Sequence, residues 1–248
     1  MNLRKWSGNH PSLLENLNKD QIAPKNNFNF KNDETQKTLG IEWNPENDSF
    51  HFRWTLEEGP ITKLTKRKLL SEISKLYDPL GWLSPVTVSA KLLFQSLWIS
   101  KIGWDEQVPE DAYQEWAKLR SEIYVIKHFK LMRWMGNCQQ RIELLGFCDA
   151  SEKAFACVLY SRVQDEDGRY EISLLAARTR VAPKAQKTTL PRLELSGALL
   201  LTKLIEKAQE ALTNYTLSVT AWYDSQVVLA WIKGDTSKWE TFQSATDI

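Results

Sequence analysis

Between residues 141 and 233 the spacing of apolar residues switches back and forth between two periods, and the order of the switches leaves few folds open. Residues 141–149 (RIELLGFCD), 154–163 (AFACVLYSRV) and 170–180 (YEISLLAARTR) are rich in apolar, β-branched and aromatic side chains and read as three strands. Gln164-Asp-Glu-Asp-Gly168 is a turn signal, so the second and third strands form an antiparallel hairpin. Pro191 then begins a long helix. Leu193, Gly197, Leu200, Leu204 and Ala211 line one face, widened by Leu201, Ile205, Ala208 and Leu212. Residues 216–223 (TLSVTAWY) read as a fourth strand, followed by a helix from Ser225 to Lys233. A strand that rejoins its sheet after a long helix becomes a parallel neighbour of an earlier strand. The expectation is an α/β fold with a mixed sheet, in the order β-β-β-α-β-α.

That order gives three acidic residues a common destination. Asp149 ends the first strand and Asp224 the fourth, each after apolar residues. A carboxylate there is costly to desolvate unless something compensates it. If the two strands are parallel neighbours, both carboxylates lie at the carboxyl edge of the sheet, where open α/β sheets bind ligands. Glu194 sits in the first turn of the long helix, which packs on the same sheet and starts near the same edge. Taken singly, Asp224 also suits a helix cap and Glu194 the helix dipole. Taken together, three carboxylates at one edge repel one another, and one or two divalent cations are the natural compensation.

Upstream the texture differs. Residues 37–43 (KTLGIEW) and 49–55 (SFHFRWT) flank Asn44-Pro45-Glu46-Asn47-Asp48 and read as a hairpin, with Phe50, Phe52 and Trp54 alternating with His51 and Arg53. From Thr65 the period is helical: Leu69, Leu70, Ile73, Leu76 and Tyr77 recur on one face until Asp78-Pro79-Leu80-Gly81 stops the run. Pro85 and Pro109 open two further helices, one carrying Val88, Leu92, Leu93, Leu97 and Trp98, the other Ala112, Tyr113, Trp116, Leu119 and Ile123. Residues 18–36 are polar and Asn-rich and read as a linker. The chain thus divides into a hairpin region (1–60), a helical connector (61–136) and the mixed-sheet domain (137–248).

Composition narrows the function. Lys and Arg number 32 against 31 Asp and Glu, a formal charge of +1, so no global basic field exists and any nucleic-acid contact needs a local patch. Arg178, Arg180, Lys184 and Lys187 supply one just before the long helix; the alternative is a solvated loop. Cys138, Cys148 and Cys157 are too few and odd in number for a disulfide framework. No C-x-x-C pair occurs and the three His are scattered, which argues against structural zinc. No uncharged apolar run approaches the ~18–20 residues of a membrane span, and no apolar leader is visible. No membrane partner is expected, and the expected location is the cytoplasm or the nucleus. Eleven Trp is heavy use of a large ring. Trp43, Trp54, Trp82, Trp98 and Trp116 fall in the hairpin and connector, where packing between subdomains explains them better than base stacking.

Asp149-Ala150-Ser151, then 190–195 (LPRLEL), then 223–232 (YDSQVVLAWI), in this order, resemble the ribonuclease H domain of BEL/Pao-type LTR retrotransposon polyproteins. Residues 69–88 (LLSEISKLYDPLGWLSPVTV) resemble the segment joining reverse transcriptase to ribonuclease H in that group, and residues 2–6 and 39–43 the end of the polymerase palm. The resemblance implies a ribonuclease H-like sheet and hydrolysis of the RNA strand of an RNA–DNA hybrid. It implies two Mg²⁺ ions, with Mn²⁺ as a substitute, held by Asp149, Glu194 and Asp224. It places Ser151, Ser225 and Gln226 beside the hybrid backbone and makes the polymerase part of the polyprotein a partner. The family continues to a fifth strand and a fourth acidic ligand. Asp235 and Asp247 do not stand in that context, so a C-terminally incomplete sheet is expected, and an inactive remnant that only binds nucleic acid or a partner is the alternative. No Tyr-x-Asp-Asp sequence is present, so polymerase activity is not expected. Aspartic-peptidase chemistry is not expected either, because both acidic loops lack Asp-Thr/Ser-Gly.

Overall fold

The computed structural model describes residues 6–22, 41–52, 63–136, 141–184 and 188–234. Lys187, Asp235, Asp247, Cys138, Arg53, Trp54 and most of the expected linker lie outside the described residues. The elements are β1 (Ile41–Asn44), β2 (Ser49–Phe52), α1 (Lys66–Ser74), α2 (Ser84–Ile99), α3 (Glu110–Ile123), β3 (Lys130–Met132), β4 (Arg141–Ala150), β5 (Ala154–Gln164), β6 (Tyr170–Val181), α4 (Leu190–Ala211), β7 (Thr216–Trp222) and α5 (Gln226–Lys233).

The hairpin forms as its turn chemistry requires. β1 and β2 pair antiparallel, with Asn44 opposite Ser49. Asp48 closes the turn at φ +49°. Its carboxylate accepts Trp43 Nε1 at 2.9 Å and Arg133 Nε at 2.6 Å. Arg133 follows β3, so the ion pair ties the hairpin to that strand. β3 itself is a correction to the purely helical reading of 61–136: it pairs antiparallel with β2, Phe50 facing Leu131. The Arg133 hydrogen bond holds the Asp48 carboxyl below the usual carboxylate range. A depressed carboxylate stabilises the fold above its unfolded pKa, and that stabilisation is lost as pH falls through the folded value. Asp48→Asn tolerates the left-handed backbone but loses the charge. It is expected to cost about 1 kcal/mol at pH 7, discounted for partial exposure. The deficit should close as pH drops into the acid range, which urea melts at pH 7 and pH 3 would measure.

The connector helices pack around an apolar cluster. Leu64, Leu69, Leu93, Leu97 and Trp116 are essentially inaccessible there. Thr65 caps α1, its hydroxyl accepting the Lys68 amide at 3.2 Å. The helix ends at Ser74, so Leu76 and Tyr77 lie beyond it, and Leu76 packs with Trp82 and Phe52 in a second cluster. Trp98 departs from the packing expectation. It is 51% exposed, and the Lys66 ammonium lies 3.8 Å from its ring centroid, a cation–π contact.

The second sheet has the order β6-β5-β4-β7. β4–β5 and β5–β6 are antiparallel and β4–β7 is parallel, so the mixed sheet is as expected from the helical crossover. Alternation on β5 buries every second side chain. Ile142, Leu144, Cys157 and Leu159 meet Leu201 and Leu204 of α4 in the core of this layer. A Cβ on Gly146 would come within 2.9 Å of the Leu201 side-chain tip, so glycine here leaves room for Leu201 of α4 against β4.

Connector and sheet are latched at β6, an edge strand that would otherwise expose unpaired backbone. A register shift at Leu159/Tyr160 leaves Leu175 without a partner on β5. Its carbonyl accepts Trp82 Nε1 at 2.9 Å, and the Ala177 amide donates to the Leu80 carbonyl at 2.7 Å. Gly81 sits between these bonds at φ +73°.

Candidate active site

The parallel pairing of β4 and β7 sets the positions of both aspartates. Phe147 is opposite Trp222, the last pair of the ladder. Asp149, on β4, and Asp224, just past the end of β7, each follow that pair by two residues. Both are exposed. The Ala150 amide donates to Asp149 Oδ1 at 2.7 Å, which fixes one carboxylate rotamer.

Glu194 reaches this edge from α4. The helix begins at Leu190, so Glu194 falls just past the first turn rather than inside it, and the helix dipole explains its position less well than expected. Gly197, one turn later on the same ridge, rests on β4: a Cβ there would lie 3.4 Å from the Asp149 carbonyl oxygen. The start of α4 therefore overlies the strand end that carries Asp149. Glu194 Oε2 accepts the Ser225 hydroxyl at 2.6 Å, which joins α4 to the segment after β7. Ser225 also caps α5, accepting the Val228 amide at 3.5 Å.

The three carboxylates share the edge without cationic partners: none is in an ion pair among the described residues. Cys148 lies beneath them. Burial first, then the charges of Cys157, Asp149 and Asp224, push its thiol up to about 12, so it stays protonated and is no nucleophile. The carboxylate oxygens are the hard donors that Mg²⁺ and Mn²⁺ prefer, and the donor set fits such an ion. No three acidic, His or Cys side chains among the described residues are gathered closely enough to enclose one, however. Glu194 is turned to Ser225 instead.

The other sequence-expected residues lie around this edge. Ser151 holds the β4–β5 turn, accepting the Ala154 amide at 3.2 Å and donating to the Ala154 carbonyl at 3.1 Å. Gln226 is the exposed first residue of α5. Arg178 is opposite Cys157, which is itself opposite Cys148, so Arg178 stands two strands from the acidic edge, roughly 10 Å. Arg180 lies two residues further on, and Lys184 follows β6; all three are exposed. Lys91 of α2 joins them and was not legible from its own helix: its ammonium donates to the Thr179 hydroxyl at 3.2 Å, and burial lowers its pKa against a weaker opposing effect of Asp78. On the sheet face away from α4, Phe147 stacks on Trp222 with centroids 4.9 Å apart. A cavity of about 540 Å³ opens there between Trp82 and Tyr160, with Asp149 at its rim.

A mixed four-stranded sheet with one helical crossover, and acidic residues at the carboxyl edge of its parallel pair, defines a ribonuclease H-like domain. The profile of the Pao retrotransposon-like RNaseH-like domain matches residues 65–225, and the chain belongs to that family. The matched span takes in the connector as well as the mixed sheet. No curated protein sequence matches the chain. Among solved structures it is similar to the foamy viral protease-reverse transcriptase with double-stranded DNA, at 16% identity and a TM-score of 0.40 over 77% of this chain and 38% of that one. The same viral protein with an RNA/DNA hybrid gives 15% identity and a TM-score of 0.42, over 86% of this chain and 28% of that one. The chain thus spans well under half the length of these structures. Among the described residues no helix is long and apolar enough to cross a membrane.

Proposed function

We propose that this domain hydrolyses the RNA strand of an RNA–DNA hybrid, with divalent cations held by Asp149, Glu194 and Asp224. The observation that carries this reading is that Asp149 on β4 and Asp224 just past β7 each follow the last parallel pair by two residues, without an ion pair among the described residues, while α4, which carries Glu194, rests on the Asp149 end of β4. When bound, two Mg²⁺ or Mn²⁺ ions supply an activated water and neutralise the leaving oxygen of an in-line displacement. Asp149, held by the Ala150 amide, presents its free oxygen to the strand edge. Asp224 presents a second carboxylate beside it. Glu194 exchanges its Ser225 contact for a position over the two. Arg178, Arg180, Lys184 and Lys91 form a basic rim two strands away, suited to phosphates flanking the scissile one. Ser225 and Gln226, at the head of α5, face the backbone of the cleaved strand. Lys187 extends the basic run in sequence. The polymerase part of the polyprotein delivers the hybrid, and the work takes place in the cytoplasm or a retroelement particle.

The test is hydrolysis of an end-labelled RNA–DNA hybrid in Mg²⁺, beside duplex DNA and duplex RNA. Shortening of the hybrid's RNA strand alone, abolished by EDTA and by Asp149→Asn, is the expected result. Cleavage that survives either treatment would sink the assignment. A second reading, a module that binds hybrid without cutting it, is favoured by one feature: Glu194 is engaged by Ser225 rather than gathered with the aspartates. Hybrid binding with no Mg²⁺-dependent cleavage would establish that reading.

A further inference from the structure

The cavity on the sheet face away from α4 is built from two parts of the chain. Trp82, Pro85 and Val88 come from the connector, Phe147 and Tyr160 from the sheet, and Asp149 completes the rim. Its volume of about 540 Å³ falls in the ~300–1,000 Å³ range of small-ligand sites, which are also mostly apolar with a few polar groups. The aromatic walls are held in place before any ligand arrives. Trp82 packs against Phe50 and Phe52 of the hairpin, with centroids 5.4 and 6.0 Å away, while its Nε1 is fixed on the Leu175 carbonyl at 2.9 Å. Phe147 is stacked on Trp222 at 4.9 Å and meets Tyr160 edge-on at 6.2 Å. Rings fixed in this way have little freedom left to lose on binding.

The polar group at the rim decides what chemistry fits. Asp149 follows Phe147 by two residues on β4, so the two share a face of the sheet. The carboxylate is in no ion pair among the described residues. A carboxylate beside aromatic walls attracts a cation or an N–H donor and repels phosphate. Aromatic walls favour a flat ring, and a cationic ring most of all. The bases of a paired duplex are stacked between phosphates and do not meet these demands. A free, flat, positively charged ring system does.

We infer that this cavity is a binding site for a planar aromatic cation, its rings among Trp82, Phe147 and Tyr160 and its charged edge on Asp149. The site needs neither hydrolysis nor a divalent cation, so it stands apart from the activity proposed above. Its occupant touches connector and sheet at once.

The test is calorimetric titration of the full chain in EDTA, at pH 8 and without nucleic acid. The probes are proflavine, a flat diamino cation, and acridine, the same ring system uncharged at that pH. Asp149→Asn removes the charge and keeps the shape. Ala156→Leu fills the cavity from β5, where Ala156 lies opposite Asp149, and Val88→Phe fills it from α2. Thermal unfolding identifies any variant that fails to fold, and the two fillings act from different elements. Proflavine should bind the parent at one molecule per chain, and acridine about 10-fold more weakly, the worth of a hydrogen bond to a charged group. Asp149→Asn should bring proflavine down to the level of acridine, and a folded filling variant should weaken both probes about 10-fold or more. Absence of saturable proflavine binding in the parent overturns the inference, as does equal binding of the two probes. Unchanged proflavine affinity in Asp149→Asn overturns it too, and so does unchanged affinity in the folded filling variants, which would place the dye elsewhere. No divalent cation is present in any arm, so failure of the hydrolysis reading would leave these results as they stand.

Discussion

Replacing Gly81 by alanine is expected to destabilise the protein by about 3–5 kcal/mol, from three separable causes. The backbone there has φ +73°, and an L side chain in that region costs about 1 kcal/mol. The added Cβ would sit 1.8 Å from the carbonyl oxygen of Ala177, a collision with backbone that no rotamer relieves. The loop must then lift off β6. That breaks the Ala177–Leu80 and Trp82–Leu175 hydrogen bonds, each worth about 1 kcal/mol net, and strands buried backbone groups on an edge strand. For a chain of this length, such a loss lowers Tm by roughly 10 °C. Gly168→Ala is the control. Gly168 has a similar φ of +81°, but its Cβ would meet only the Gln164 side chain, at 3.6 Å. It should cost about 1 kcal/mol, the conformational part alone. Equal losses at the two glycines, measured by urea and thermal melts, would show that the latch contributes nothing.

That latch marks the limit of what the sequence discloses. Asp78-Pro79-Leu80-Gly81 reads as a helix stop, and it is one. Its fit against the Leu175 bulge is invisible, because a register shift depends on two strands far away in the chain. β5 is legible for the opposite reason: its alternation is a local property, and burial follows it residue by residue. β3 was missed because three residues carry no period of their own; β2 makes them a strand. Trp98 shows the same limit for packing, since nothing in its neighbours says whether a ring ends inside or outside. At the candidate site, the order strand-Asp, helix-Glu, strand-Asp points all three residues to one end of the sheet, and the parallel register leaves each aspartate two residues past the last β4–β7 pair. Their spacing was not legible. Like-charged side chains splay apart unless a cation draws them together, and Ser225 offers Glu194 another partner.

Asp149→Asn is expected to separate activity from stability. The amide has nearly the same shape, and its oxygen can still accept the Ala150 amide, so the strand end keeps its local hydrogen bond. One negative charge disappears from an edge that carries three, none of them in an ion pair among the described residues. In EDTA the variant should therefore melt at or slightly above the parent's Tm, because repulsion is relieved and nothing is unmet. With Mg²⁺ the order reverses. Ligand that binds only the folded state stabilises it by RT ln(1 + [L]/Kd), about 2.7 kcal/mol at a concentration of 100 Kd, and the parent alone should gain it. Hydrolysis of the hybrid should fall on the order of 10³-fold or more, roughly 4 kcal/mol on the barrier, because a neutral amide neither holds the cations nor balances their charge. The crossing of the two melting curves is the informative result. A fold defect would lower Tm in EDTA as well, and a carboxylate that merely capped the turn would leave the Mg²⁺ response of parent and variant the same. Only a ligand whose charge is a burden without the cation and an asset with it changes the sign between the two buffers.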